Sequence, residues 1–223
     1  MNLETGFTNK IFLFSGLEEQ VTRSFVYHFF EKRAVRGELF QYEGEPAQAV
    51  YFVLSGVVKV YKTSADGKEQ IIYLVRPGEM VNVVSTQNDA NNLASAEAMG
   101  EVVLAGILPE AFEKVLAENS QLTPALMAVV AERVKQLLRL VEDLSFRNVA
   151  GRVAKVLLEN ASSGDKENQR LTQQEMAAMI GTAREMVGRA IKTLEDDGLI
   201  RLDRHRIVIS DEWALREVAG LDR

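Results

Sequence analysis

Three charged side chains, Arg184, Glu185 and Arg189, have the chemistry and the spacing that could read base pairs in the major groove of DNA. An arginine can bond O6 and N7 of guanine together, and a glutamate can accept a hydrogen bond from N4 of cytosine. On a helix the three would share one exposed side near its N-terminal half, and the first residues of a recognition helix reach base edges. They predict a sequence-specific DNA-binding helix, the alternative being a solvated helix face.

Two short capped helices with a glycine between them would position these side chains. Thr172–Glu175 and Thr182–Glu185 both have the Thr-x-x-Glu pattern of a capping box, in which the hydroxyl accepts from an amide and the glutamate reaches back. The predicted helices are Gln173–Ile180 and Ala183–Asp196, and Gly181 suits the turn that joins them. This layout is that of a helix-turn-helix.

A predicted hairpin follows the second helix and has the pattern of a wing. Leu199–Leu202 and Ile207–Ile209 alternate around the polar turn Asp203–Arg206. Contacts to phosphates position a protein on DNA without specifying the sequence. The residues expected at or beside such contacts are Thr172, Gln173, Thr182, Lys192 and Arg204.

The composition restricts the class of protein. Of 223 residues, 47% are hydrophobic and 26% charged, which is typical of a globular chain. Cysteine is absent, which excludes disulfides, thiolate metal sites and cysteine-bound iron–sulfur clusters. No apolar run of about 18 residues predicts a membrane span, and the start of the chain lacks a signal-peptide pattern. We expect a cytoplasmic protein without a membrane partner.

The net charge of −6 lies entirely in the first two thirds of the chain. Residues 1–146 contain 13 Lys and Arg against 19 Asp and Glu, whereas residues 147–223 contain 13 of each. A neutral C-terminal third can still present a basic face to DNA.

The part of the chain before this third is strand-like and then helical. Between about Ala34 and Ile107, short runs rich in Val, Ile and Tyr alternate with glycines at the spacing of a small sandwich or barrel. Asp66–Gly67 predicts a hairpin turn, and Pro109 predicts the start of a helix that ends near Asn119. The predicted strands are Ala49–Leu54, Val57–Tyr61, Ile71–Val75, Met80–Val84 and Val102–Ile107.

A longer helix, opening at Thr123–Pro124, carries an apolar seam. Its members alternate in spacing between three and four residues, which is the heptad pattern of paired helices over about two and a half repeats. The seam predicts a dimer interface, the alternative being a helix packed on its own domain. The seam residues are Met127, Val130, Val134, Leu137, Val141 and Leu144.

The order of these segments, with four stretches inside them, resembles the CRP/FNR family of bacterial transcription regulators. The stretches are Tyr51–Val60, Arg76–Glu79, Val149–Ala154 and Gly181–Arg189, and the last is similar to the recognition helix of the cyclic-AMP receptor branch. The resemblance implies an α+β fold with a double-stranded β-helix (jelly-roll) barrel of cyclic-nucleotide-binding type, a long dimerisation helix and a C-terminal winged helix-turn-helix.

The resemblance also implies what each part does. Residues 1–120 would sense an effector, residues 121–146 would dimerise and provide the hinge, and residues 147–223 would bind DNA. A homodimer would bind palindromic double-stranded DNA with TGTGA-like half-sites, and RNA polymerase would be a further partner.

The sensor departs from the cyclic-AMP receptor branch where that branch holds its nucleotide. The Gly-Glu and Arg-Ser pairs of that branch fall here at about Asn82–Val83 and Asn92–Leu93, and its Thr-Ser pair falls on Leu137–Leu138. No Lys or Arg occurs between Arg76 and Lys114. Burying a phosphodiester without a cation costs on the order of several kcal/mol. We therefore predict that cyclic AMP is not the ligand.

Three hypotheses remain for the signal to which the sensor responds. A small apolar or weakly polar effector would lie between the barrel and the seam helix. Haem would need a ligand such as His28, the one sensor histidine, in the predicted helix Val21–Glu31; a histidine simply packed beside Phe residues is the alternative. The third reading is a regulator without an effector. The expected effector pocket comprises Val81, Asn82, Val83, Val84, Asn92, Leu93, Leu137 and Leu138.

Two other classes of function, an enzyme and a dimeric adaptor, are alternatives to DNA binding. An enzyme on a cupin-type barrel needs several histidines, and the chain has two. The sequence also has no P-loop, Gly-x-Ser-x-Gly or His-Glu-x-x-His motif, so we expect a protein that is not an enzyme. A dimeric adaptor that has lost DNA contact would show a degraded recognition face, whereas Arg184, Glu185 and Arg189 are all present.

Overall fold

The structure, a computed structural model, describes residues 5–82, 91–162, 171–203 and 206–221. The chain divides into two compact units. Residues 1–62 and 72–136 form the first unit, and residues 63–71 and 137–223 form the second unit. Val83 and Val84 of the expected effector pocket, and Arg204 of the wing, lie outside the described residues.

Two antiparallel sheets form the N-terminal barrel. Its strands within the described residues are β1 (Phe29–Ala34), β2 (Leu39–Gln41), β3 (Val50–Ser55), β4 (Val58–Thr63), β5 (Glu69–Val75), β6 (Ser95–Ala98) and β7 (Val102–Ile107). One sheet has the order β1-β7-β3, and the other has the order β2-β6-β4-β5. The predicted turn at Asp66–Gly67 joins β4 to β5, and Gly67 has the positive φ of 82° that such a turn requires.

Apolar side chains from both sheets meet in the barrel core. Val53 of β3 and Leu104 of β7 come from one sheet, and Val60 of β4 and Ala96 of β6 come from the other; all are buried. The alternation of strand side chains explains this, because every second residue of a strand points to the same face. Of the predicted strand Met80–Val84, the described residues form only an isolated bridge from Met80 to Phe52.

A second apolar cluster, rich in phenylalanine, lies on the other face of the first sheet. It joins β1 and β3 to the helices α1 (Glu19–Phe25) and α2 (Pro109–Glu118) and to the start of α3 (Leu122–Phe146). Pro109 begins α2 as predicted, since a proline costs no hydrogen bond in the first turn of a helix.

The predicted helix Val21–Glu31 is wrong in its second half. The α-helix ends at Phe25, a short 3-10 helix covers Val26–His28, and β1 starts at Phe29. Phe29 pairs with Ile107 of β7 and is buried in the phenylalanine cluster. The local aromatic pattern predicted a helix here, but pairing with β7 makes the segment from Phe29 onwards a strand.

From α4 to its end, the second unit has the predicted order of a winged helix-turn-helix; we call this part the C-terminal unit. Its elements are α4 (Val149–Ser162), α5 (Gln173–Ile180), α6 (Arg184–Asp196), β8 (Ile200–Asp203), β9 (Arg206–Ile209) and α7 (Glu212–Val218). Buried residues of α4, α5 and α6 form one core, which also takes Leu215 from α7. The sequence analysis did not predict α7, β1, β2 or β6.

Candidate DNA-binding surface

The start of α5 is held by the predicted capping box. Thr172 Oγ1 accepts a hydrogen bond from the Glu175 amide at 3.1 Å, and the Thr172 amide donates to Glu175 Oε2 at 2.7 Å. The helix ends at Gly181, whose φ of 65° and ψ of 49° are left-handed. These local signals fix where α5 begins and where the chain turns towards α6.

The second predicted capping box does not form. The N-cap of α6 is Ala183 rather than Thr182, and it makes no side-chain capping bond. The Thr182 amide instead donates to the Ala177 carbonyl at 3.1 Å, which places Thr182 in the turn. Glu185 is therefore not engaged by a cap, and its carboxylate projects from the first turn of α6.

The two faces of α6 differ sharply. Val187, Ala190, Ile191 and Leu194 are buried in the core of the unit. On the other face, all three candidate base-reading side chains are exposed, and within the described part of the chain neither Arg184 nor Glu185 has a side-chain hydrogen bond or ion pair. Burial of one face therefore orients the charged face outward, where Arg189 Nη1 donates to Met186 Sδ of the same helix at 3.9 Å.

Several candidate phosphate contacts lie on or beside this face. Lys192 is exposed one turn after Arg189, and Thr172 and Gln173 are exposed at the start of α5. Gln173 lies close to α6, because a β-carbon on Gly188 would be 3.7 Å from Gln173 Oε1. The Thr172 hydroxyl accepts the capping bond and keeps its proton to donate elsewhere.

The hairpin of β8 and β9 brings two further arginines that the sequence analysis missed. Arg201 and Arg206 are both exposed. Arg206 pairs across the hairpin with Asp203, so these two and Arg201 share one face of the strands. The amide of Leu202 donates to Glu195 Oε1 at 3.2 Å, which ties the wing to the end of α6. The alternation of the strands could have indicated both arginines.

The predicted seam of α3 is an exposed apolar stripe on the single chain. Met127 is 62% exposed and Val141 is 59% exposed, and Val134, Leu137 and Leu144 are exposed as well. Val130 is half-buried. A contiguous apolar stripe of this kind is typical of a surface that another protein covers.

The described residues of the expected effector pocket differ in burial and belong to both units. Val81 is buried in the barrel core, and Asn82 uses its amide to accept from the Tyr51 amide at 3.3 Å and to donate to the Ala49 carbonyl at 3.1 Å. Asn92 is buried and lines a small cavity, whereas Leu93 is exposed. Leu137 and Leu138 are exposed and belong to the second unit.

A cation from α3 packs against the end of the barrel sheet. The Arg133 guanidinium donates to the Met80 carbonyl at 2.8 Å, lies 3.7 Å from the Glu79 carboxylate, and stacks 4.3 Å from the centre of the Tyr73 ring. Burial raises the pKa of Tyr73, and the nearby Arg133 charge opposes that shift. The sequence analysis considered only cations between Arg76 and Lys114 and so missed Arg133.

A second cation, Lys59, is buried on β4, on the strand face opposite the core residues Val58 and Val60. Lys59 pairs with Glu97 at 3.2 Å and lies 4.5 Å from the centre of the Tyr61 ring. Lys59 and Arg133 are thus both held against carboxylates of the chain itself.

His28 is half-buried at the end of the short 3-10 helix, with its ring 4.2 Å from that of Tyr27. Among the described residues, no group of three or more His, Asp or Glu side chains could hold a metal ion. The described helices also include none that is long and apolar enough to cross a bilayer.

Family models match both halves of the chain. Residues 31–119 match the cyclic nucleotide-binding domain, and residues 151–218 match the Crp-like helix-turn-helix domain. The first match runs from within β1 to the end of α2, and the second runs from within α4 to the end of α7.

Curated relatives match over almost the whole length. The CRP-like cAMP-activated global transcriptional regulator of Mycobacterium tuberculosis is 30% identical over 210 residues, which cover 91% of this chain and 94% of that protein. The cyclic AMP receptor protein of Thermus thermophilus is 28% identical over 207 residues, 93% of this chain and 96% of that one.

Solved structures agree with these matches. A CRP-family transcriptional regulator from Thermus thermophilus has a TM-score of 0.72 and 26% identity, over 85% of this chain and 96% of that one. A crp/fnr-family regulator from Eubacterium rectale shares the fold, with a TM-score of 0.79 at 20% identity over 93% and 97% of the two chains.

Proposed function

The chain belongs to the CRP/FNR family of transcription regulators and is a DNA-binding regulator; from this premise we propose that it binds palindromic DNA as a homodimer. Each subunit places α6 in a major groove of a TGTGA-like half-site. The single observation that carries the proposal is the outward face of α6, where Arg184, Glu185 and Arg189 are exposed above a buried apolar face.

The assignment of roles follows from hydrogen-bonding capacity. Each arginine can donate two bonds to one guanine, and Glu185 can accept from a cytosine amino group. Thr172, Gln173, Thr182 and Lys192, with Arg201 and Arg206 of the wing, contact phosphates and fix the register. Arg204 joins them as a prediction from the sequence alone.

Dimerisation through α3 supplies the two-fold symmetry that a palindrome demands. The exposed stripe from Met127 to Leu144 has the heptad spacing of a two-helix seam. An isologous contact of the stripe with itself covers the apolar surface and presents two α6 helices to successive major grooves. RNA polymerase is the partner expected of such a regulator once it is on DNA.

We propose that this chain responds to a different effector from the cyclic-AMP-activated relatives described above. The names of those relatives make cyclic AMP the first candidate. However, the Asn82 side chain is already bonded to backbone groups of Tyr51 and Ala49, and Leu137 and Leu138 offer no hydrogen bond to adenine. Two cations of the first unit, Lys59 and Arg133, are already paired with Glu97 and Glu79. A phosphodiester would have to break such a pair, so we propose a weakly polar or apolar effector instead.

Haem bound through His28 and regulation without an effector are the two other readings of the sensor. The absorption spectrum of protein purified from its native host distinguishes haem, because a Soret band would support it and a colourless protein would contradict it. Isothermal titration with cyclic AMP tests the prediction that cyclic AMP is not the ligand. We expect no heat of binding, and binding with micromolar affinity would overturn this prediction.

A salt-dependent gel shift tests the proposed function itself. The probe is a duplex with two inverted TGTGA half-sites, and the control is a duplex of the same composition with scrambled half-sites. We expect tighter binding to the palindrome and, if about six phosphates are contacted, a loss of affinity of roughly a thousandfold between about 50 and 200 mM salt. Absence of binding to either duplex would favour the dimeric adaptor and contradict the proposal.

A further inference from the structure

A partly buried cluster of charges joins the last turn of α3 to α4. The Asp143 carboxylate accepts from Arg147 Nε at 2.7 Å with one oxygen and lies 2.5 Å from Lys155 Nζ with the other. The three side chains are only 15–17% exposed. All three belong to the second unit, which contains α3 from Leu137 onwards.

The same cluster reaches the last helix of the DNA-binding unit. Arg147 also donates through Nη1 to the carbonyl of Ala219, directly after α7, and Arg152 of α4 donates to the Arg147 carbonyl at 2.7 Å. Space is tight here, since a β-carbon on Gly151 would lie 2.9 Å from the carbonyl oxygen of Val218. One carboxylate on α3 therefore holds cations that in turn contact α4 and the end of α7.

We infer that Asp143 is a positioning residue that fixes the DNA-binding helices to the end of α3 and so sets the spacing between half-sites that the dimer accepts. The inference rests on the proposed function, because it requires two subunits paired through α3. Asp143 touches no base or phosphate in this account. It acts through Arg147 and Lys155 on the unit that carries α6.

The stiffness of the link between the dimer seam and α6 determines which spacings of half-sites the dimer can bind. Half-sites of a two-fold site lie about one helical turn, roughly 10 bp, apart. A stiff link presents the two α6 helices at one separation, so a duplex with another spacing must strain the protein or the DNA. A loose link accepts several spacings but loses conformational freedom on binding each of them.

The charges around Asp143 explain why removal of its carboxylate should loosen this link. Arg147 and Lys155 converge on the two Asp143 oxygens, while Glu142 and Glu159, which lie 3.7 Å and 3.9 Å from these two cations, are each 59% exposed. Without the Asp143 charge, the two cations lose the least exposed of the carboxylates that contact them among the described residues. They can then turn towards solvent, and the contact from α3 to α4 opens.

The test compares Asp143→Asn with Glu159→Gln, which removes an exposed partner of the same Lys155. Palindromic duplexes are prepared with the centre shortened by one base pair, unchanged, or lengthened by one or two, together with a duplex that has a single half-site. Affinities are measured by gel shift. Thermal unfolding of each variant shows whether it is folded. If Asp143→Asn unfolds, Lys155→Gln, which removes the same contact from the α4 side, takes its place in the comparison.

We expect the native chain and Glu159→Gln to prefer one spacing by about tenfold or more. Asp143→Asn and Lys155→Gln should lose most of that preference, with about tenfold weaker binding to the best palindrome and unchanged binding to the single half-site. A spacing profile identical to that of the native chain would overturn the inference while leaving the proposed function intact. An equal loss on every duplex, single half-site included, would also overturn it, since it indicates a merely structural role. If the native chain binds no palindrome, the proposed function itself fails.

Discussion

Leu144 lies directly against the turn at Gly181. A β-carbon on Gly181 would be 2.7 Å from Leu144 Cδ2 and 2.6 Å from Gln70 Oε1, and the backbone there has a φ of +65°. Gln70 also donates weakly to the Met179 carbonyl, at 3.4 Å. The turn between α5 and α6 is therefore packed on Leu144 of α3 and on Gln70 of β5, which both belong to the second unit.

Gly181→Ala should destabilise the protein for two reasons at once. The left-handed conformation costs a residue with a β-carbon about 1–2 kcal/mol, and the added methyl carbon would contact two side chains far inside van der Waals distance. The free energy of unfolding, from denaturant titration, should fall by at least that amount.

Gly188→Ala is the matched control for Gly181→Ala. Gly188 is inside α6, and its β-carbon would meet only Gln173 Oε1 at 3.7 Å, an ordinary contact. Alanine there should stabilise the protein by about 0.5–1 kcal/mol, because glycine is the poorer helix former. Equal effects of the two substitutions would contradict the left-handed turn.

Arg189→Ala should relax specificity at one base position. The loss of a bidentate contact to guanine costs about 1–3 kcal/mol of discrimination. Lys192→Ala, one turn further along the same exposed face, should instead weaken binding to all sequences alike and reduce the salt dependence. Competition with duplexes changed at each position separates the two. A uniform loss for Arg189→Ala would make Arg189 a phosphate contact.

Val134→Glu should convert the dimer to monomers. Val134 is 50% exposed on the seam, and in a paired seam two carboxylates would face each other without a cation. Lys135→Glu changes charge at the next residue, outside the seam, and serves as the control. Sedimentation equilibrium gives the mass of each variant; a dimeric Val134→Glu protein would show that the seam lies elsewhere.

Tyr73→Phe should reduce the loss of stability at alkaline pH. Burial raises the pKa of Tyr73 above its ordinary value of 10.0 in the folded protein, so the unfolded chain ionises first. The contribution of Tyr73 is complete below pH 10 and is lost as the pH rises through the folded-state pKa. The dependence of the unfolding free energy on pH above 10 should become less steep. An unchanged slope would contradict the desolvation of this phenol.

The C-terminal unit could be predicted closely because its signals are local. The Thr172–Glu175 box and Gly181 determine the ends of α5 within a few residues of sequence, and both are seen as predicted. The predicted start of α6 differs by one residue from the observed start. The Thr182 amide closes the turn at Gly181, which leaves Ala183 as the N-cap.

The missed strands depend on partners that are distant in the sequence. Phe29–Ala34 contains Glu31, Lys32 and Arg33 and becomes a strand through pairing with β7, some seventy residues later. Ser95–Ala98 has little intrinsic preference for a strand and is held between β2 and β4. Arg133 was missed as a cation of the sensor for the same reason, since Met80 lies 53 residues before it.

If two subunits bind one palindrome through α6, the complex contains two chains per duplex, and its stoichiometry can be measured. Labelled duplexes with two inverted half-sites, with one half-site and with none are titrated at fixed salt, and the mass of each complex is measured by sedimentation. We expect two chains on the palindrome, with an affinity well above that for the single half-site. One chain per duplex, or equal affinity for all three duplexes, would contradict it.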